Sequence, residues 1–126
     1  DLLILGNPNN PTGRRIDRDL LLKIHEAAVN VGAFLLLYEA FYEFCPPDYD
    51  SIDLLYGSKN LCVIRAATKF FALPGIRLGY AYTSRQMVER FNEIELPWSI
   101  NTFADIAGRT IFKQEDYIKS TKNRIN

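Results

Sequence analysis

Lys69 and Arg77 stand eight residues apart in the stretch ATKFFALPGIRLGY, residues 67–80. A lone loop lysine is ordinarily a solvated charge. A lysine at a strand end beside apolar groups can instead bond an aldehyde, provided desolvation lets its proton leave easily. Phe70 and Phe71, next in the chain, are the apolar wall such a lysine needs. An aldehyde cofactor carrying a phosphate also needs a cation of fixed geometry, which suits Arg77 with the neighbouring Thr68 hydroxyl. A ring oxygen needs a neutral donor, and the amide of Asn10 in NPNNPTG is of that kind. The last requirement is an acid beside the ring nitrogen, so that the ring can draw in electrons.

These residues must be brought together by the elements between them. Leu2 to Leu5 form a short apolar run ending in the turn formers GNPNNPTG. Asp17 is placed to cap a helix carrying Leu20, Leu21, Ile24, Ala27, Ala28 and Val31, with Gly32 as its stop. Phe34 to Tyr38 and Leu61 to Ile64 are again apolar throughout, so three runs read as strands buried on both faces. Strand, helix, strand implies parallel pairing. The dozen or so residues before Gly79–Thr83 are broken by Pro74-Gly75 and leave little room for a crossover, so this fourth strand should run antiparallel. Ser84 can cap a helix carrying Met87, Val88, Phe91 and Ile94; Pro97 interrupts, Phe103 to Phe112 supplies another helical stripe, and a polar helix follows from Glu115. In an open parallel sheet ligands gather beyond the carboxyl ends of the strands, and Asn10, Tyr38 to Phe41 and Thr68-Lys69 all fall there.

The bulk composition narrows the partners. The chain has 126 residues, enough for one core, and its 15 basic and 15 acidic residues balance. No net field points to nucleic acid or an anionic membrane. Cys45 and Cys62 form no metal or disulfide pattern and read as reduced thiols in a cytoplasmic protein, with no metal site. No apolar run reaches the length of a membrane span.

NPNNPTG, YEAFYEF and TKFFALPGIRLGY, in that order, resemble the signature segments of the pyridoxal-phosphate (PLP) enzymes of aminotransferase class I/II. Within that family the chain is similar to the histidinol-phosphate aminotransferase group, and its closing PWSINTFADIAG is most similar to threonine-phosphate decarboxylase, a cobalamin-pathway relative. The resemblance implies an α/β fold: a mixed, mainly parallel sheet flanked by helices, part of the large domain of a fold-type I PLP enzyme. It makes residues 1–126 a partial PLP-binding domain, with an N-terminal part and a small domain outside it. It implies a small-molecule amino substrate, phosphorylated in the nearest groups, decarboxylated or transaminated by a homodimer when full length, and an isolated segment that does not turn over. Residue by residue, it makes Lys69 the cofactor lysine, Arg77 the phosphate ligand and Asn10 the ligand of the ring oxygen.

Other positions depart from the family pattern. Tyr38 stands where the aspartate that pairs with the pyridine nitrogen is expected, and Phe41 lacks the hydroxyl of many aminotransferases while matching decarboxylase-like members. A phenol, neutral at pH 7, cannot hold that nitrogen protonated by charge. Glu39 cannot replace it, because adjacent strand residues point to opposite faces. An impaired homologue therefore stands beside the active enzyme as an alternative, and a non-catalytic module is a third. His25, at the edge of the first helix's stripe, reads as a surface or packing residue, and Trp98 as a substrate-side or packing residue.

Overall fold

The computed structural model describes residues 1–125. Four strands, β1 (Leu2–Gly6), β2 (Phe34–Tyr38), β3 (Leu61–Ala66) and β4 (Gly79–Thr83), form one sheet in chain order. β1, β2 and β3 are parallel and β4 returns antiparallel against β3, as expected from the short, proline-broken connection. Helix α1 (Arg18–Asn30) makes the first crossover; Asp17 caps it by accepting from the Leu20 amide, and Gly32 leaves it at φ +68. The second crossover is built from a 3-10 turn, Tyr42–Phe44, and a four-residue helix α2 (Ser51–Leu54). Helices α3 (Arg85–Ile94), α4 (Thr102–Ile111) and α5 (Glu115–Ile125) follow β4, with Ser84 and Asn101 as N-caps of α3 and α4. Among the described residues no helix is long and apolar enough to cross a membrane.

The expectation of three strands buried on both faces holds for β3, where Leu61, Cys62 and Val63 are all buried, and is corrected for β1 and β2. Leu35, Leu37, Leu61 and Val63 pack with Leu21, Tyr49 and Leu55 into the main core, so that one face of the sheet is covered. β1 lies at the edge with Leu2, Leu3 and Ile4 exposed, and β2 alternates buried and half-buried. The stripe on α1 narrows likewise: Leu21 and Ala28 are buried, whereas Leu20 and Val31 are exposed. The reason is coverage, because an apolar run records compatibility with burial and its neighbours decide whether burial happens. A second cluster, Ala67, Phe70 and Phe71 with Leu73, Leu78, Ile111 and Ile118, joins the loop after β3 to α4 and α5. The segment from α3 to α4 keeps Ile94, Leu96, Trp98, Ile100, Phe103 and Ile106 exposed.

Gly79 opens β4 where the chain must pass close to its partner strand. A Cβ there would sit 3.0 Å from the Arg65 carbonyl oxygen. Because that neighbour is backbone in the β3–β4 ladder, Gly79→Val is expected to cost about 1–3 kcal/mol, read as a lower denaturation midpoint with unchanged slope.

Candidate functional site

The parallel register brings the carboxyl ends of β1, β2 and β3 to one edge. Gly6 lies opposite Tyr38, and Tyr38 opposite Ile64; the ladder continues as the Asn7 amide donates to the Tyr38 carbonyl (3.0 Å) and the Glu39 amide to the Ile64 carbonyl (2.8 Å). Antiparallel β4 begins at the same edge, with Gly79 opposite Ala66 and the Ala67 amide donating to the Leu78 carbonyl (3.0 Å). Asn10, Tyr38, Phe41, Thr68, Lys69 and Arg77 therefore lie on the loops and strand ends of one rim.

Each is placed by local structure. Lys69 follows β3 in a turn closed by the Ala72 amide donating to its carbonyl (3.0 Å). Its side chain is exposed, and its Nζ lies 5.9 Å from the centroid of the Phe41 ring. The aromatic wall beside the lysine is thus Phe41, and the expected wall of Phe70 and Phe71 is corrected. Phe70 and Phe71 are buried, edge-to-face with one another at 5.2 Å and packed with Tyr117 and Phe112, while Phe70 also meets Phe44 edge-on at 5.4 Å, so that it backs the rim aromatics instead of lining the amine. Burying two adjacent phenylalanines against α4 and α5 removes more apolar area from water than shielding one amine would.

Arg77 adopts the left-handed conformation, φ 60 and ψ 51, and donates from Nη1 to the Pro74 carbonyl at 2.8 Å. This conformation costs a non-glycine residue about 1–2 kcal/mol. Arg77→Gly is accordingly expected to be more stable than Arg77→Ala by about 1 kcal/mol, measured by denaturant unfolding, although both lose the guanidinium. Equal stabilities would remove the case that this backbone is strained.

Asn10 is exposed on the NPNNPTG loop, which is anchored from beneath by residues the sequence did not single out. Asn7 is buried; it donates to the Tyr49 hydroxyl (3.0 Å) and accepts from the Ile16 amide (2.9 Å). Arg15 has an 11% exposed side chain, pairs with Asp48, donates to the Tyr49 carbonyl (2.6 Å) and lies 3.8 Å over the Tyr49 ring. Beside Asn10 and Phe41 the loop borders an open hollow of about 340 Å³, walled by Pro8, Pro11, Phe44 and Cys45. Among the described residues no hydrogen bond within the chain occupies the side chains of Asn10, Tyr38, Thr68 or Lys69; Asn10, Tyr38 and Lys69 are exposed and Thr68 is half-buried.

Tyr38 and Glu39 diverge as strand alternation requires. Tyr38 is 50% exposed at the rim, whereas Glu39 is fully buried and accepts from Arg65 Nε at 2.9 Å. Arg65 also donates to Asp50, from Nη2 at 2.6 Å and from Nη1 at 3.2 Å, and lies 3.4 Å over the Tyr42 ring. Burial opposes ionisation of Asp50, but hydrogen bonds from Arg65 and Tyr42 outweigh it and hold the carboxyl below its usual range. A carboxyl depressed in the folded state adds stability above its unfolded value, and that stability is lost as pH falls through the folded value. The loss of melting temperature below about pH 4 should therefore be shallower in Asp50→Asn.

His25 packs as expected, its Nε2 at 2.7 Å from the Ser58 hydroxyl, and burial lowers its basicity. Trp98 is 95% exposed and takes no part in the core. Cys45 and Cys62 are free thiols, and no cluster among the described residues could hold a metal.

The sequence profile described as aminotransferase class I and II matches residues 1–126. A protein of Caldanaerobacter subterraneus subsp. tengcongensis, provisionally named threonine-phosphate decarboxylase, is 41% identical over 128 residues, covering 100% of this chain and 35% of that one. Threonine-phosphate decarboxylase of Salmonella typhimurium is 36% identical over 122 residues, covering 96% and 34%. The solved structure of histidinol-phosphate aminotransferase from Clostridium acetobutylicum superposes with a TM-score of 0.89 at 34% identity, covering 98% of this chain and 37% of that one. The chain thus spans about a third of the length of these relatives.

Proposed function

This chain belongs to the aminotransferase class I and II family, and from that premise we propose that residues 1–126 form part of the large, cofactor-binding domain of a PLP-dependent enzyme. Its substrate is a phosphorylated amino acid or amine. The observation that carries this is the gathering of Lys69, Asn10, Arg77 and Thr68 on one sheet rim, with the Lys69 amine 5.9 Å from the Phe41 ring and no partner of its own among the described residues. The donor set fits the cofactor: an amine for its aldehyde, a guanidinium and a hydroxyl for its phosphate, and an amide for its ring oxygen.

PLP, when bound, supplies an electron sink for charge left at the substrate's α-carbon. Lys69 binds it through Nζ, and the same nitrogen, when free, carries protons. Arg77 and Thr68 would hold the phosphate end, Asn10 would donate to the ring oxygen, and Phe41 offers an apolar wall beside the amine. Tyr38 lies at the strand position from which a side chain would face the ring nitrogen, and its phenol can share a hydrogen bond there without supplying negative charge.

Decarboxylation of a threonine-phosphate-like substrate is the favoured reaction, supported by the two decarboxylase relatives and by Phe41. The cobalamin-pathway role of that group comes with this reading. The alternative is a histidinol-phosphate-type transamination, supported by the structural match. Tyr38 favours a second reading, in which the cofactor binds but carbanion chemistry is slowed. The working unit is a cytoplasmic homodimer, a reading supported by the exposed apolar surface from Ile94 to Ile106 and by the two free thiols. The test is borohydride reduction of the intact protein with PLP, followed by peptide mapping: Lys69 should carry the label.

A further inference from the structure

Arg65, Glu39 and Ser51, all buried, form a polar cluster with the half-buried Asp50 and Tyr42, and no hydrogen bond among the described residues joins it to the side chains of Asn10, Tyr38, Thr68 or Lys69. Arg65 spends Nε and Nη2 on Glu39 (2.9 and 2.8 Å) and Nη1 and Nη2 on Asp50 (3.2 and 2.6 Å). The other Glu39 oxygen accepts from the Ser51 hydroxyl, and Asp50 also accepts from the Tyr42 hydroxyl (2.6 Å) and the Ile52 amide (2.8 Å). Both carboxylates and all three guanidinium nitrogens are engaged.

Stability alone does not account for this cluster, because apolar side chains of similar volume commonly replace a buried ion network at no loss. Apolar packing lacks one property the network has, the fixing of distances by directional bonds. The chain positions of its members matter here. Glu39 follows Tyr38, Tyr42 follows Phe41, and Arg65 precedes Thr68-Lys69 by three and four residues. The planar fork of Arg65 therefore joins the β2 end, the turn carrying Phe41 and the β3 end.

We propose that Arg65 is a positioning residue: through Glu39 and Asp50 it holds the Lys69 turn at a fixed place relative to Tyr38 and Phe41, so that the amine meets the cofactor aldehyde in register. The proposal rests on the PLP reading given above, and it acts through the backbone of β2 and β3, without contact with the cofactor. Arginine is required because lysine offers one point charge where two carboxylates and an aromatic face must be met together.

The test uses the intact protein and two variants. Arg65→Lys keeps the charge and loses the fork; the quadruple variant E39Q/E43Q/D50N/R65M removes the charges together, including that of Glu43, which is buried near Arg65 with an unpartnered Oε2 among the described residues. One readout is amide hydrogen exchange across residues 66–70 without cofactor, and the other is the rate at which PLP with borohydride labels Lys69. Both variants are expected to keep a cooperative melting transition, to exchange at least about tenfold faster across 66–70 with α1 unchanged, and to label Lys69 at least about tenfold more slowly. Parental exchange and labelling in a folded Arg65→Lys variant would overturn the proposal. Failure of Arg65→Lys to fold would also overturn it, by making the residue a requirement of folding. If the parent protein is itself not labelled at Lys69, the cofactor reading falls, while the exchange measurement still judges whether Arg65 ties the strand ends.

Discussion

Tyr38→Asp in the intact protein is expected to speed bond breaking at a substrate's α-carbon, read as CO2 release for a decarboxylase or as exchange of the α-hydrogen with solvent deuterium for a transaminase, by about two orders of magnitude. The position fixes the side chain: β2 ends at Tyr38, half-exposed at the rim, while Glu39 turns inward to Arg65. A carboxylate beside a pyridine nitrogen stabilises its protonated form, whereas a phenol lends a hydrogen bond without charge. Each pKa unit of such stabilisation is worth about 1.4 kcal/mol, and two units give about a hundredfold in rate if the gain is made in the transition state. Cofactor affinity should change far less, since the bond to Lys69 and the contacts of Arg77 and Thr68 remain. Because Tyr38 is exposed and makes no hydrogen bond among the described residues, the fold should lose nothing measurable. CO2 release and α-hydrogen exchange, both followed by NMR in deuterated buffer, decide it. Equal rates in parent and variant would mean that Tyr38 does not face the ring nitrogen, and the assignment of this rim would be withdrawn.

The second large effect is at Lys69. Lys69→Ala should abolish borohydride-fixed label at this position and reduce turnover by at least about 10³-fold, because one nitrogen both binds the cofactor and moves protons. Lys69→Arg should do the same while keeping a positive charge at the rim, which separates the loss of a nucleophile from the loss of a cation. Melting temperature should stay close to the parent's in both, since the side chain is exposed and its amine lies 5.9 Å from the Phe41 ring centroid. Label appearing on Lys23, Lys59, Lys113, Lys119 or Lys122, with none on Lys69, would contradict the site.

The rim was readable from the chain because its carriers are local. Turn formers in NPNNPTG end the first apolar run, Asp17 and Gly32 bracket α1, and Pro74-Gly75 shortens the path from β3 so that β4 must return antiparallel. Strand ends in a parallel sheet share an edge, so the motifs at those ends meet without any knowledge of packing. The divergence of Tyr38 and Glu39 followed equally from the two-residue period of a strand.

Packing partners were not readable, because each depends on residues far apart in the chain. Phe70 and Phe71 stand beside Lys69 in sequence, but they are buried in an aromatic cluster with Tyr117, 47 residues beyond Phe70, which also donates to the Phe70 carbonyl at 3.2 Å. Phe41, from a different strand end, takes the place beside the amine. Arg15 has the look of a loop cation until Asp48 and Tyr49 close over it, 33 and 34 residues later. Arg65 sits in a run that reads as plain strand, and Glu39, 26 residues before it, gives it a buried charge to meet. Local composition sets what a segment can form and where it must turn, since those are matters of dihedral preference and period. Which face is covered, and which charge is paired, is set by the cost of leaving apolar area in water or a polar group unmatched once distant segments have closed on one another.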